Sequence, residues 1–310
     1  MPGSHDHLSE THILGERTTQ TVVRASDSDP RPWLRGSPVC AALSQHRIAH
    51  LGVCEARAPY RIVRMSQSGT YFMACFGGEG RILVDGRWQV CRAGMACLLP
   101  PHLLNAFHAV PGKPWQFVWV RYQAVPEKRP IVTAGSPVLA KFDGGALRLA
   151  ALGLAAECQT GSATSPTPGS TPANRSPAAI HHWLELIQGY VLQFAQPWQM
   201  DARLSRLWEK VALHPGAPWT AAKLASEASM SEEHLRRLTT KQLGRSPMRH
   251  VTWLRMRRAA ELLATTDEKI ESIAHAVGCQ NPFVFSTTFK KWIGWRPSEH
   301  RARLPGSRGR

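Results

Sequence analysis

The residues best suited to recognition chemistry lie near the carboxyl end, in the segment EEHLRRLTTKQL at 232–243. Leu235, Leu238 and Leu243 have the spacing of one helix face. The opposite face then carries the polar residues Glu233, Arg236, Arg237, Thr240 and Lys241. An arginine can donate two hydrogen bonds to O6 and N7 of a guanine. This face is therefore suited to DNA, and the alternative is an ordinary solvated basic surface.

The same segment ends in a phrase that occurs twice. QLGRSPMRH begins at Gln242, and WIGWRPSEH begins at Trp292, fifty residues later. The wider register is kept by the pairs Ser231 and Asn281, Leu235 and Phe285, Gly244 and Gly294, Pro247 and Pro297, His250 and His300. Two copies are too few for a solenoid, which needs about three repeats to bury a core. Two helix-turn-helix units suit duplex DNA, whose major groove recurs about every 34 Å.

Capping signals predict the helices that position these residues. Ser231 is a suitable N-cap, and Glu232 and Glu233 complement the positive end of the helix dipole. Gly244 then ends that helix. Similar signals predict helices over 220–228, from Ser246–Pro247 to about Ala264, over 270–277, and from Asn281–Pro282 to Gly294. The helix between the units, at about 18 residues, would be about 27 Å long and would act as a rigid spacer.

Charge and composition limit the class of protein. The chain has 310 residues and a formal charge of +16, enough length for about two domains. From Met200 onward, 20 Lys and Arg stand against 10 Asp and Glu, which favours a polyanionic partner. The amino terminus has no apolar signal-peptide core, and no apolar run is long enough to span a membrane. Seven scattered cysteines without a CxxC pair indicate reduced, packed thiols, and we expect a cytoplasmic protein.

The amino-terminal half has the pattern of β-structure. Residues 1–35 are polar and aperiodic and are interpreted as a flexible arm. Between about Pro38 and Val132, short apolar and aromatic runs alternate with glycine turns, and Asp85-Gly86 lies between two strand-like runs as a hairpin signal. This pattern predicts an antiparallel jelly roll or barrel.

After the β-rich segment, the hydrophobic pattern changes from that of strands to that of helices. Residues 137–157 are rich in leucine and alanine and predict a helix, and residues 159–177 have the composition of a disordered insert. Over the next helix, Ile180, Trp183, Leu184, Ile187 and Val191 form an apolar stripe. The stripe is either core packing or a dimer contact of the Ile180–Phe194 helix, and both roles are compatible.

The carboxyl-terminal third resembles the AraC/XylS family of bacterial transcription regulators. The motifs LxRLxxxxLGxSPxxH, LRMRRAAELL and IxxIAxxVGxxNPFxFSxxFKKxxGxRPSEHR stand close to that family's consensus from about Trp219 to Arg303. The segment from Gly78 to Ala109, followed by PWQFVWVRYQ, is similar to the family's cupin-type sensor domain. The resemblance therefore covers nearly the whole chain, with the arm and the insert as the exceptions.

The resemblance implies roles for individual residues on DNA. By position, Glu233, Arg236 and Arg237 would read bases in the first unit, and Pro282, Phe283, Val284 and Thr287 would face bases in the second. Thr287 replaces an arginine common in the family, and Cys279 replaces a common phenylalanine. We therefore expect apolar contacts to thymine methyl groups from the second unit. Phosphate contacts are expected from Thr240, Lys241, Lys290, Lys291 and Arg296.

The resemblance also implies an effector pocket inside the sensor barrel. Matched to the arabinose-responsive member, the pocket positions fall on Arg64, Phe107, Phe117 and Trp119. Arg64 would bind sugar hydroxyls or a carboxylate, and Trp119 would stack on a sugar face. Both Phe117 and Trp119 are equally compatible with plain packing. A sugar or sugar acid is expected by analogy only.

An enzyme is the alternative, because cupin barrels also host metal centres built from about three His and a Glu. Here His102 and His108 lie near one corner, Asn105 stands where many relatives have His, and Glu127 lies outside the strand pattern. We therefore expect neither a metal or other cofactor nor catalysis. A regulator whose barrel only dimerises is a further alternative.

The sequence thus predicts a two-domain α+β protein, a ligand-responsive transcription regulator and most often an activator. Its expected partners are promoter DNA, a small-molecule effector, RNA polymerase and a second copy of the chain, with no membrane. The predicted divisions are the arm at 1–35, a cupin-like sensor at 36–135, a helical linker at 136–215, the double helix-turn-helix domain at 216–304 and a tail at 305–310.

Overall fold

The computed structural model describes residues 10–29, 31–64, 69–123, 131–159, 176–196 and 201–302. Within these ranges the amino-terminal domain is a curled antiparallel β-structure. Its strands are β1 Glu10–Leu14, β2 Thr19–Arg24, β3 Ile48–Ala56, β4 Tyr60–Arg64, β5 Tyr71–Val84, β6 Arg87–Arg92, β7 Met95–Leu99, β8 Asn105–Ala109, β9 Trp115–Tyr122 and β10 Leu139–Lys141.

The long strand β5 organises this domain. Its first half pairs with β7 and β9, and its second half pairs with β6 and β8. A bulge between Cys75 and Gly77 separates the two halves, and such a bulge bends a strand. The sheet consequently curls, with the order β1-β4-β8-β5-β9-β3-β2 along its main path. This confirms the predicted antiparallel barrel class.

The predicted hairpin at Asp85-Gly86 is confirmed. Both residues have positive φ, 53° and 71°, as a two-residue type I′ turn requires. Asp85 tolerates this conformation better than most side chains, and Gly86 adopts it without strain. The turn lies at the far end of β5 from Tyr71, so one strand joins two distant parts of the molecule.

Two sequence predictions in this region are wrong. Residues 1–35 are not a structureless arm throughout, because β1 pairs with β4 and β2 pairs with β3; these edge strands have too little periodicity to be recognised. The helix predicted over 137–157 begins later, since residues 139–141 form β10 on β7. Most of the predicted 159–177 insert, and the 305–310 tail, lie outside the described residues.

Three helices link the β-domain to the carboxyl-terminal domain: α1 Gly145–Gln159, α2 Pro177–Ala195 and α3 Ala202–Leu213. The apolar stripe of α2 packs inward, with Leu184, Ile187 and Val191 fully buried. Trp183 lies against Gly153 of α1. The core-packing interpretation of the stripe is therefore correct.

The carboxyl-terminal domain contains the six helices α4 Ala221–Glu227, α5 Glu232–Leu243, α6 Pro247–Thr265, α7 Ile270–Ala276, α8 Pro282–Ile293 and α9 Pro297–Ala302. Each predicted boundary agrees to within about two residues. Ser231 accepts a hydrogen bond from the amide of His234, and Gly244 and Gly294 end α5 and α8 with positive φ. α6 has 19 residues and is thus about 28 Å long.

Buried apolar residues form two separate clusters. The larger extends from the β-domain through α1–α3 into α4, α5 and the first half of α6. The smaller comprises the second half of α6 with α7 and α8. Partly buried Trp292 packs against both. The first helix-turn-helix unit, α4–α5, therefore shares a core with the β-domain, whereas the second, α7–α8, has a separate one.

We expect Asn281→Ala to lower the free energy of unfolding by about 1 kcal/mol. The Asn281 Oδ1 accepts hydrogen bonds from the amides of Phe283 and Val284, at 2.9 and 3.2 Å. Ser246→Ala is the matched control, because Ser246 also precedes a first-turn proline but makes no side-chain cap bond. Urea unfolding followed by helical circular dichroism measures both. Equal losses would contradict the assigned cap.

Candidate functional site

The first candidate recognition surface is the outer face of α5. Leu235, Thr239 and Leu243 are buried beneath the helix. The residues predicted to meet DNA, namely Glu233, Arg236, Arg237, Thr240 and Lys241, are all exposed. The structure thus brings them together on one open face, and the buried leucines fix its direction.

A side-chain pair organises the beginning of that face. Arg236 donates to both oxygens of Glu233, at 2.9 and 2.7 Å. Hydrogen bonding from Arg236 lowers the pKa of the Glu233 carboxyl. Because the pair is exposed, its contribution to stability is small and either member can exchange partners at little cost. Arg237 instead lies 3.2 Å from the Nδ1 of His234 through its Nη2.

The second candidate recognition surface, on α8, is apolar. Phe283 and Val284 are 85% and 59% exposed, whereas Phe285 and Phe289 behind them are fully buried. Thr287 is exposed beside them and Pro282 is half-buried. The cationic residues Lys290, Lys291 and Arg296 are exposed at the end of the helix and just beyond it. α8 therefore presents an apolar patch followed by a basic one, as the sequence predicts.

The candidate effector residues cluster inside the barrel. The guanidinium of Arg64, which is buried, lies 4.5 Å from the ring centre of Tyr71 and 5.5 Å from that of Phe107. Phe117 packs between Trp115 and Trp119, with ring centres 4.6 and 6.1 Å away. Arg64 and Trp119 border a cavity of about 10 Å³, which is room for one water molecule. Phe107 and Phe117 lie behind it.

Trp119 is held by its neighbours. A Cβ on Gly52 would come within 2.6 Å of the Trp119 ring, so only glycine permits this packing. The Trp119 indole donates to the Nδ1 of His50 at 3.2 Å. Burial, and then the charges of Arg121, Arg31 and Arg64, hold the pKa of His50 well below its usual range. His50 is therefore neutral near pH 7.

The sequence missed several residues of this cavity. His12, Leu14, Trp33, Tyr60 and Tyr71 also border it. His12 and Leu14 lie on β1, and Trp33 follows β2, within the segment interpreted as an arm. A tryptophan in a polar segment was the available signal, because such a large ring is seldom left in water without a packing partner.

The histidines considered as metal ligands have other surroundings. His108 packs edge-on against Trp88 at 4.8 Å between ring centres, and His102 lies in the loop after β7. Asn105 is buried at the start of β8, and Glu127 lies outside the described residues. Within the described ranges, no group of three or more His, Cys, Asp or Glu side chains is placed to hold a metal ion.

The cysteines, in contrast, match their predicted surroundings. All seven are unbridged, and all except Cys279 are buried.

Among the described helices, none is long and apolar enough to cross a membrane.

The fold and these two sites define a two-domain protein in which a curled β-domain precedes a double helix-turn-helix domain. Residues 53–127 match the family model of the AraC-like ligand binding domain, and residues 224–303 match that of a helix-turn-helix domain. The chain belongs to the AraC family of helix-turn-helix transcription regulators.

Relatives match mainly over part of the chain. The regulator MtrA of Neisseria gonorrhoeae is 34% identical over 104 residues, which are 34% of this chain and 34% of MtrA. The transcriptional activator RhaS of Escherichia fergusonii is 30% identical over 134 residues, 43% of this chain and 47% of RhaS. The chain thus spans about a third to a half of these relatives. The carboxyl-terminal domain of AraT, a response regulator from Geobacillus stearothermophilus, is 30% identical, covering 36% of this chain and 94% of that chain, with a TM-score of 0.34.

Acidification below about pH 6.5 is expected to destabilise the protein. Burial, followed by the charge of His102, lowers the pKa of His300 to about 4, and burial and Arg245 also lower the pKa of His250. Unfolded histidine titrates near 6.5, so between these values the unfolded chain binds more protons. The free energy of unfolding then falls with pH by up to about 1.4 kcal/mol per unit for each histidine. Stability from this source is intact above pH 6.5.

Urea unfolding at pH 7.0, 6.0 and 5.0 measures this slope. His300→Gln should reduce the slope of unfolding free energy against pH by the equivalent of about one bound proton. His182→Gln, at an exposed position of α2, should leave the slope unchanged. If His300→Gln kept the wild-type slope, buried His300 would not be the source.

Proposed function

We propose that this protein is an effector-responsive transcription regulator that binds two successive major-groove segments of promoter DNA. The observation that carries the proposal is the pair of helix-turn-helix units, matched in register and each with an open recognition face. Their linking helix of about 28 Å is of the same order as the 34 Å groove repeat.

The two units have unequal capacity to read sequence. α5 offers the hydrogen-bonding groups of Glu233, Arg236 and Arg237, and a good bidentate pair is worth about 1–3 kcal/mol of discrimination between bases. α8 offers Phe283, Val284 and Thr287, with Pro282 at its start, and these suit thymine methyl groups. Thr240 and Lys241 in the first unit, and Lys290, Lys291 and Arg296 in the second, are assigned to phosphates.

The effector is assigned to the barrel interior. Support comes from the match of residues 53–127 to a ligand-binding domain and from the buried guanidinium of Arg64 between aromatic rings. Arg64 and Trp119 would contact the effector, and Phe107 and Phe117 would support them. A sugar or sugar acid fits these groups. Since the cavity is small, a larger molecule requires β1, which carries His12 and Leu14, to move.

Activation and dimerisation complete the proposal. The relative RhaS is named as an activator, so the regulator is proposed to increase transcription through RNA polymerase. Leu149 of α1 and Leu186 of α2 are exposed, and this α1–α2 surface, next to the sensor, is proposed to bind the same surface of a second copy. Such a protein would act in the cytoplasm, where its promoter DNA lies.

The narrow cavity favours one rival, a regulator whose barrel only dimerises. A cupin enzyme with an attached DNA-binding module is the rival from another class. Metal analysis of the purified protein separates this enzyme from both regulators: stoichiometric iron, manganese or zinc would favour the enzyme.

Selection from a random duplex library tests the main proposal. The full-length protein should enrich one sequence with two conserved segments about one helical turn apart, the first more restrictive than the second. Failure to enrich any sequence over random DNA would overturn the proposal.

Arg237→Ala should relax the preference at one base position of the first segment. Lys290→Ala should weaken binding to every sequence alike and reduce the salt slope by about one. Lys290 is chosen because the backbone carbonyl of its neighbour Lys291 lies against Gly86 of the β-domain. Fluorescence anisotropy on the selected duplex and its single-base variants, at several salt concentrations, measures both. The same loss of specificity from both variants would contradict the assigned roles.

A true effector should raise the melting temperature of the full-length protein by several degrees, because ligand at about 100 Kd stabilises by about 2.7 kcal/mol. The screen comprises sugars, sugar acids and small aromatic acids. Arg64→Met, which keeps the side chain's apolar length, should abolish the shift. A shift unchanged in Arg64→Met would place the effector elsewhere, and no shift from any compound would favour the barrel that only dimerises.

A further inference from the structure

The β5–β6 turn of the sensor lies against the DNA-binding domain. Asp85 at its tip accepts hydrogen bonds from the Nε and Nη2 of Arg245, at 2.7 and 2.6 Å. The Nε of Arg249 lies 3.7 Å from the same carboxylate. The side chains of Asp85 and Arg245 are only 6% and 3% exposed. Because Arg245 directly follows Gly244, the turn holds the junction between α5 and α6.

The same turn also contacts the second unit. A Cβ added to Gly86 would lie 2.0 Å from the carbonyl oxygen of Lys291, so the backbones of the turn and of α8 meet directly. A neighbouring sensor loop makes a similar contact, since a Cβ on Gly294 would lie 2.3 Å from the Cδ2 of Leu104. Both contacts fall at the carboxyl end of α8.

Cations and aromatic rings join these contacts. The guanidinium of Arg245 lies 4.7 Å from the ring centre of Trp253 on α6, and that of Arg249 lies 5.1 Å from the ring centre of Trp292 on α8. The Asp85 carboxylate thus faces two arginines. Arg245 contacts α6, the helix that links the units, and Arg249 contacts the second unit. Trp292 belongs to the margin of both apolar clusters.

These contacts bear on the angle between the units, because the second unit has a core of its own. It is joined to the first through α6, through the segment before α4, where Gly216 lies against Ala276 and Gly278, and through the surface that the β-domain covers. The recognition faces point elsewhere: Glu233, Arg236, Phe283 and Val284 are all exposed. The sensor therefore contacts both units without covering what they would read.

We propose that the Asp85-Gly86 turn is a brace that fixes the spacing and angle between the two helix-turn-helix units. Asp85 and Gly86 are then positioning residues that determine which separation of two DNA segments the protein accepts. This inference rests on the proposed function as a reader of two segments. It adds that part of the specificity resides in the sensor domain, at residues that touch no base.

The brace acts only when both units bind together. Once the first unit is bound to DNA, the second unit binds its segment within the same complex. Its effective concentration at that segment depends on how well its position matches the segment. A second unit free to pivot loses that match and tolerates altered spacing. Binding of the first unit alone does not depend on the brace. The affinity ratio between a two-segment and a one-segment duplex therefore reports the brace, and a general loss of folding does not mimic it.

Two glycine substitutions form a matched test. Gly86 and Gly94 both have positive φ, 71° and 80°, in turns flanking β6, so alanine causes similar backbone strain at each. A Cβ at Gly94 meets nothing within 4 Å, whereas a Cβ at Gly86 collides with the Lys291 carbonyl. Gly86→Ala should weaken binding to the two-segment duplex about tenfold, a part of the ~10²–10⁴-fold gain that linkage of two binding units can supply. It should leave binding to a duplex with a scrambled second segment unchanged, and Gly94→Ala should change neither.

Spacing supplies a second readout. Inserting one base pair between the segments should penalise the wild type and Gly94→Ala strongly and Gly86→Ala weakly. A loss by Gly86→Ala that is equal on both duplexes, no loss, or tighter binding would each overturn the brace. Tighter binding in particular would make the turn an inhibitory lock.

Hydrogen exchange tests the contact without DNA. In Asp85→Asn, amides of α8 should exchange faster than in the wild type. Glu79 lies on β5, the strand that leads into this turn, and Glu79→Gln removes its exposed ion pair with Lys113. This control should leave the exchange of the α8 amides unchanged. If the wild type selected no DNA sequence, the proposed function would be wrong. The exchange experiment would still show whether the Asp85-Gly86 turn holds α8. Unchanged exchange in α8, with sequence selection intact, would overturn the brace alone.

Discussion

A carboxylate and a guanidinium that are both withdrawn from water, Asp85 and Arg245, connect the two domains. Removing one partner of a buried pair leaves the other charge uncompensated, at a cost of about 3–5 kcal/mol. The interface is thus closed with the pair made or open with both charges hydrated, and states between are disfavoured. Such a contact sets relative position sharply even where its net stabilisation is small. The arrangement of the recognition helices depends on it.

Strand β5 extends this constraint into the barrel. Its first residue, Tyr71, stacks on Phe107 and supports the Arg64 guanidinium, and its last residue precedes Asp85. β8 runs alongside, with Phe107 behind Tyr71 and Arg64 of the cavity wall and Leu104, just before the strand, against the second unit. A change in how the cavity is filled therefore has two hydrogen-bonded strands through which to reach the DNA-binding domain. Close-packed interiors of this kind have low compressibility and transmit strain.

Residues whose structural causes are local were predictable from the sequence. The caps at Ser231, Asn281, Gly244 and Gly294 act within one helical turn, and the Asp85-Gly86 turn follows from two adjacent residues. What the sequence did not reveal depends on distant partners. β1 and β2 pair with the edges of β4 and β3, and Trp33 lies against His12 of β1 and His50 of β3. Arg245 looked like one more basic residue, since its partner lies 160 positions away.

The apolar face of α8 completes the physical argument. Phe283 is largely exposed to water, although Phe285, two positions on, is fully buried. The fold therefore leaves an apolar surface on α8 uncovered. Exposed aromatic area of this kind gains most when it meets another apolar surface, and methyl groups in a major groove are such a surface. Apolar contacts have little directionality, however, and by themselves they do not fix the position of the unit along the DNA. A second unit of this composition therefore gains specificity from being held in place, which is what a contact behind the recognition face provides.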